Sequence, residues 1–125
     1  MTVQDALIVT RYPQEAPCLK ETLSRYQLKS QVVSSAEMAL SAINGSLPDL
    51  LIVDLVLPGL SGWELIYTLR QKKHMDHGHP VIALTKYDGE GVQEAALAEG
   101  FTAYFPRPID EPRFEHILEQ ILQPG

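Results

Sequence analysis

Four short apolar runs each lead into a residue type that can do chemistry. Leu50-Leu51-Ile52-Val53 runs into Asp54, and Val81-Ile82-Ala83-Leu84 runs into Thr85-Lys86. Ala6-Leu7-Ile8-Val9 runs into Thr10-Arg11, and Phe101–Phe105 is followed by Pro106-Arg107-Pro108. If these runs lie side by side as parallel strands, one carboxylate, two hydroxyls and three cationic side chains meet at one end of the sheet. Such a set can hold an anion: Arg11, Lys86 and Arg107 bring positive charge, Thr10 and Thr85 hydroxyls, and Asp54 a single carboxylate. A hard divalent cation needs several oxygen ligands, and Asp54 alone is too few. No glycine-rich phosphate loop follows the first run, which argues against a dinucleotide or P-loop site. His74, Asp76, His77 and His79 are irregularly spaced in a polar stretch and read as a solvated loop rather than a metal site. Cys18 reads as a small buried filler on the first helix.

The elements that must position these residues follow from periodicity. Continuous apolar runs mark strands buried on both faces. Ala16, Leu19, Leu23 and Tyr26 share a helical face, with Pro13 and Pro17 tolerated only near its start. Val32-Val33 reads as a weak second strand. Ser34-x-x-Glu37 reads as a capping box for a helix with Ala36, Ala39, Leu40 and Ile43 inside, stopped by Asn44-Gly45. Ser61-x-x-Glu64 reads as a second box, for a helix burying Leu65, Ile66 and Leu69. Asp88 reads as the cap of a short helix from Val92 to Glu99, closed by Gly100. Asp110 reads as the cap of a last helix with Phe114, Ile117, Leu118, Ile121 and Leu122 on one face. Five strands alternating with five helices predict an α/β fold: a flavodoxin-like, doubly wound, five-stranded parallel sheet in the order 2-1-3-4-5, with helices on both faces. One domain spans 1–125. In such a sheet ligands sit outside the C-terminal ends of the strands, at the switch between strands 1 and 3. The chemically capable residues fall there.

Composition narrows the function classes. The 125 residues carry 10 Lys+Arg against 16 Asp+Glu, a net charge of −6, with no basic run. That disfavours direct binding to nucleic acid or to a membrane surface. Only one cysteine is present, so neither an internal disulfide nor a cysteine zinc site can form. The N-terminal stretch lacks the pattern of a signal peptide, and no apolar run nears membrane-spanning length. These features predict a cytoplasmic protein.

The order of elements and the stretch Asp54-Leu55-Val56-Leu57-Pro58-Gly59-Leu60-Ser61-Gly62-Trp63-Glu64 resemble the receiver domain of two-component response regulators. Thr85, Tyr104 and Arg107-Pro108 extend the resemblance over essentially the whole chain. It implies that Asp54 accepts a phosphoryl group from the phosphohistidine of a histidine kinase or phosphotransfer protein. It implies that Thr85 and Arg107 stabilise the phosphoryl oxygens, with Arg11 and Lys86 adding to anion binding. Thr85 and Tyr104 would then switch the face built from helix 4, strand 5 and helix 5 toward a downstream effector. The chain would be a phosphoacceptor switch, not an enzyme acting on a separate substrate. Val56 and Tyr87 fall where the family's hydrolytic water enters. Trp63 serves packing or partner contact.

Three departures change the electrostatics. Thr10-Arg11 replaces the family's acidic, magnesium-holding pair, Arg107 replaces its lysine, and Lys86 replaces a small residue. One carboxylate then faces three cations, so Mg²⁺ is expected to bind weakly, with no metal-ligand set and no other cofactor. A guanidinium, from Arg11 or Arg107, is expected on the Asp54 carboxylate. The same departures support an alternative: a phosphorylation-independent pseudo-receiver, a protein-interaction module held in one state by Arg11 on Asp54.

Overall fold

The apolar runs form the centre of the molecule. The structure, a computed structural model, describes residues 4–86 and 91–122. Its elements are β1 (Gln4–Val9), α1 (Ala16–Arg25), β2 (Leu28–Val33), α2 (Ala36–Ala42), β3 (Leu50–Asp54), α3 (Gly62–Lys72), β4 (Val81–Thr85), α4 (Val92–Ala98), β5 (Ala103–Pro106) and α5 (Glu111–Leu122), with a 3₁₀ turn over Pro13–Glu15. The strands are parallel and ordered β2-β1-β3-β4-β5, so the switch point lies between β1 and β3. This is the doubly wound arrangement expected from the sequence.

Strand alternation divides the core into two layers. Leu7, Val9, Leu51, Val53 and Ala83 pack with Leu65, Ile66 and Leu69 of α3 and with Ala36 and Ala39 of α2. Ile8, Ile52, Ile82 and Leu84 pack on the other face with Leu19 and Leu23 of α1 and Phe114 and Leu118 of α5. Every residue of β3 and β4 is buried, which explains their unbroken apolar runs.

Several local expectations are corrected. The second strand is six residues long rather than Val32-Val33 alone, because an edge strand alternates and its polar Lys29 and Gln31 break the apolar signal. The last strand is Ala103–Pro106, not Phe101–Phe105. The cap of α2 is Ser35, whose hydroxyl accepts from the Met38 amide at 3.1 Å. Ser34 lies one residue too early, and Glu37 reaches the Leu60 amide instead. Gly91 is the N-cap of α4, while Asp88 and Tyr87 lie outside the described residues. Cys18 is exposed, not buried, and its thiol donates to Glu111 Oε1 at 2.9 Å. That carboxylate raises the thiol pKa, with desolvation adding to the shift. Among the described residues, no helix is long and apolar enough to cross a membrane.

Candidate functional site

Asp54 ends β3, paired in register with Leu84 of β4, and is 1 % exposed. The chain then turns sharply into α3. The Gly62 amide donates to the Leu55 carbonyl at 3.0 Å. A Cβ at Gly62 would lie 2.2 Å from the Asp54 carbonyl oxygen, so only glycine lets the helix start against the strand end. Ser61 and Glu64 then close a full capping box, each side chain accepting from the other's backbone amide at 3.1 Å. Two turns of fixed backbone thus anchor Asp54.

The β1 end supplies donors to the same carboxylate. The Thr10 hydroxyl donates to Asp54 Oδ2 at 3.0 Å, and the Arg11 backbone amide donates to the same oxygen at 2.9 Å. The Tyr12 amide in turn donates to Thr10 Oγ1 at 3.0 Å, which fixes the hydroxyl. Arg107, 8 % exposed at its side chain, presents Nη2 to Asp54 Oδ1 as an ion pair. Its backbone amide donates to the Thr85 carbonyl at 2.8 Å, tying the ends of β4 and β5 together. The Arg107–Pro108 peptide is cis.

A residue not singled out in the sequence completes this arrangement. Glu15, at the end of the 3₁₀ turn, accepts from Arg107 Nε at 2.6 Å and from Nη2 at 2.8 Å. Arg107 therefore bridges two carboxylates, a task suited to the fixed fork of donors on a planar guanidinium. Burial by itself would lower the Arg107 pKa, but the Glu15 and Asp54 carboxylates outweigh it and hold the guanidinium above its ordinary value. With Glu15 included, two carboxylates face three cations, so the excess of positive charge is smaller than the sequence alone implies.

Tyr12 is the second residue missed. Its ring centroid lies 4.3 Å from Lys86 Nζ, 4.6 Å from Arg107 Cζ and 5.5 Å from Arg11 Cζ. One aromatic ring thus contacts all three cations. The ion pair of Arg11 with Asp54 is not formed; Arg11 reaches Asp54 through its amide, and its side chain turns to Tyr12. Arg107 already holds Oδ1, and a second guanidinium there would meet like charge. Arg11, Tyr12, Val56, Thr85 and Lys86 line a small crevice opening on Asp54 and Arg107. Thr85 is 3 % exposed. Tyr104 is not among the residues lining the crevice; it is 8 % exposed, in the α2–α3 layer and in register with Ala83.

A family model described as the response regulator receiver domain matches residues 6–119. An uncharacterized 14.6 kDa protein in the sodA1 3′ region of Leptolyngbya boryana is 33 % identical over 118 residues, covering 93 % of this chain and 88 % of that protein. The crystal structure of a putative response regulator from Chloroflexus aurantiacus superposes with a TM-score of 0.85 at 27 % identity, covering 97 % of this chain and 98 % of that one. A CheY-like response regulator receiver domain from Methylobacillus flagellatus gives a TM-score of 0.79 at 32 % identity, covering 96 % and 99 %.

Proposed function

The chain belongs to the response regulator receiver domain family of two-component signalling, and on that premise we propose that it takes a phosphoryl group from a partner's phosphohistidine onto Asp54, with protein cations acting where the family uses a metal. The observation that carries this reading is the cationic crevice around Asp54, gathered by Tyr12. The Thr10 hydroxyl and Arg11 amide hold Oδ2, so Oδ1 is the attacking oxygen. Oδ1 forms a bond to phosphorus as the phosphorus–nitrogen bond breaks. The imidazole leaves with that electron pair and takes up a proton. Arg107 passes from Oδ1 to the phosphoryl oxygens, joined by Thr85, Lys86 and Arg11, and neutralises charge that builds in the transition state.

Mg²⁺ fits this donor set poorly. N–H and O–H donors, not oxygen acceptors, surround Oδ2, and a guanidinium stands at Oδ1. No step is assigned to the metal, and its binding is proposed to be weak. After loading, Thr85 and Tyr104 relay the change to the face of α4, β5 and α5, where a downstream effector docks. The chain is thus a switch whose chemistry is confined to its own carboxylate.

A second reading rests on one observation: Asp54 is 1 % exposed, and both its oxygens already have protein partners. A domain locked in this way would act as an interaction module without phosphorylation. Incubation with phosphoramidate, followed by intact mass, separates the two. Gain of one phosphoryl group, absent in Asp54→Asn, supports the first reading; no gain at any donor concentration leaves the locked module.

A further inference from the structure

Away from the Asp54 crevice, α3 and α4 leave a shallow groove of about 470 Å³, lined by Trp63, Glu64 and Tyr67 on one bank and Ala95 and Glu99 on the other. Trp63 and Tyr67 are four residues apart and stand on one helix face. Trp63 packs edge-on against Phe101, with centroids 5.5 Å apart at 84°, and remains only part-buried. Tyr67 is 65 % exposed, more than any other large apolar side chain among the described residues. A packed Trp and a solvent-facing Tyr side by side have the composition of a protein-binding hot spot.

Charge says what fits there. Glu64 and Glu99 place carboxylates on opposite banks. Glu64 accepts from the Ser61 amide at 3.1 Å. Arg70, in the neighbouring depression, turns its guanidinium to the Glu99 carbonyl and fills the space beside Gly100, at the C-terminal end of α4. An aromatic floor between two carboxylates suits a lysine or arginine, whose cation lies over the rings while its stem covers apolar surface. We propose that the α3–α4 groove docks a basic amphipathic helix of a partner protein, with a Lys or Arg over Trp63 and Tyr67 and aliphatic residues against Ala95. A second copy of this chain, at net charge −6, would bring like charge to the groove. This surface lies apart from the Asp54 chemistry, so its test does not depend on phosphorylation.

Trp63 is the only tryptophan and reports directly on the groove. The full chain is titrated with a synthetic amphipathic peptide carrying lysines on its polar face, and with the same peptide carrying glutamates there. The lysine peptide should shift Trp63 emission saturably, and the glutamate peptide should bind at least about tenfold more weakly. Tyr67→Ser should weaken the lysine peptide about tenfold. Glu64→Gln, which keeps the capping hydrogen bond, combined with Glu99→Lys should narrow or reverse the preference. Equal response to both peptides, no saturable shift, a preference unchanged in the double variant, or self-association of the chain in place of peptide binding would overturn the proposal.

Discussion

In the β3–α3 loop the constraint falls on the backbone: Gly62 meets the Asp54 carbonyl where no Cβ fits, and the Ser61 and Glu64 side chains each bind the other's backbone amide. In the β1–α1 loop side chains hold the geometry: Thr10 bridges Tyr12 and Asp54, and Glu15 clamps Arg107. Both loops reach the same carboxylate. A backbone-built loop tolerates few residue types, so its pattern is readable and its acceptor stays in place. A loop built from side chains can carry a hydroxyl, cations and an aromatic ring instead of two carboxylates. The charge around Asp54 can then invert while its position does not.

The contrast breaks first at Gly62. Gly62→Ala forces a methyl against backbone that cannot yield, and urea unfolding should show a loss of about 3 kcal/mol. A loss below about 1 kcal/mol would mean that side chains hold this loop too. Thr10→Val keeps the shape but removes the hydroxyl from a buried carboxylate and from the Tyr12 amide. It should cost about 2 kcal/mol in the same assay. A neutral result would show that the partners of Oδ2 are interchangeable. Glu15→Gln should cost only about 1 kcal/mol, because Glu15 is 20 % exposed and solvent screens the pair. It should also speed loading of Asp54 by phosphoramidate, since Arg107 is freed to follow the phosphoryl group. Slower loading would mean that Glu15 orients Arg107 productively instead of restraining it.

The smallest effect lies outside the Asp54 crevice, where the first turns of α1 and α5 meet. The Cys18 thiol is raised by its bond to Glu111, so Glu111→Gln should lower its pKa. Alkylation of Cys18 should then rise at lower pH, with no change in Asp54 loading. An unchanged labelling profile would show that the thiol does not sense that carboxylate.

The sheet, its order and the placement of Asp54, Thr85 and Arg107 were legible because buried parallel strands announce themselves as apolar runs and their last residues must share one end. Glu15 was not legible in that way. It lies past the end of β1 on a 3₁₀ turn, where no periodicity links it to Arg107. Tyr12 escaped for a related reason: an aromatic ring in a loop signals nothing until the topology brings Lys86 and Arg107 over it. Ser34 and Ser35 both satisfy a local capping pattern, and only the backbone angle of the turn chooses between them. Charge alone places either Arg11 or Arg107 on Asp54, and the structure puts Arg107 there. Charge cannot choose between the two, because only the fold sets which guanidinium reaches Oδ1 and which turns to Tyr12.

The central claim is that protein cations stand in for the metal at Asp54. It is tested most directly by following phosphoryl loading of the intact chain from phosphoramidate by mass, once with excess EDTA and once with Mg²⁺. The account predicts the same loading rate in both, and loss of loading in both for Arg107→Met. Loading that appears only with Mg²⁺ would contradict it.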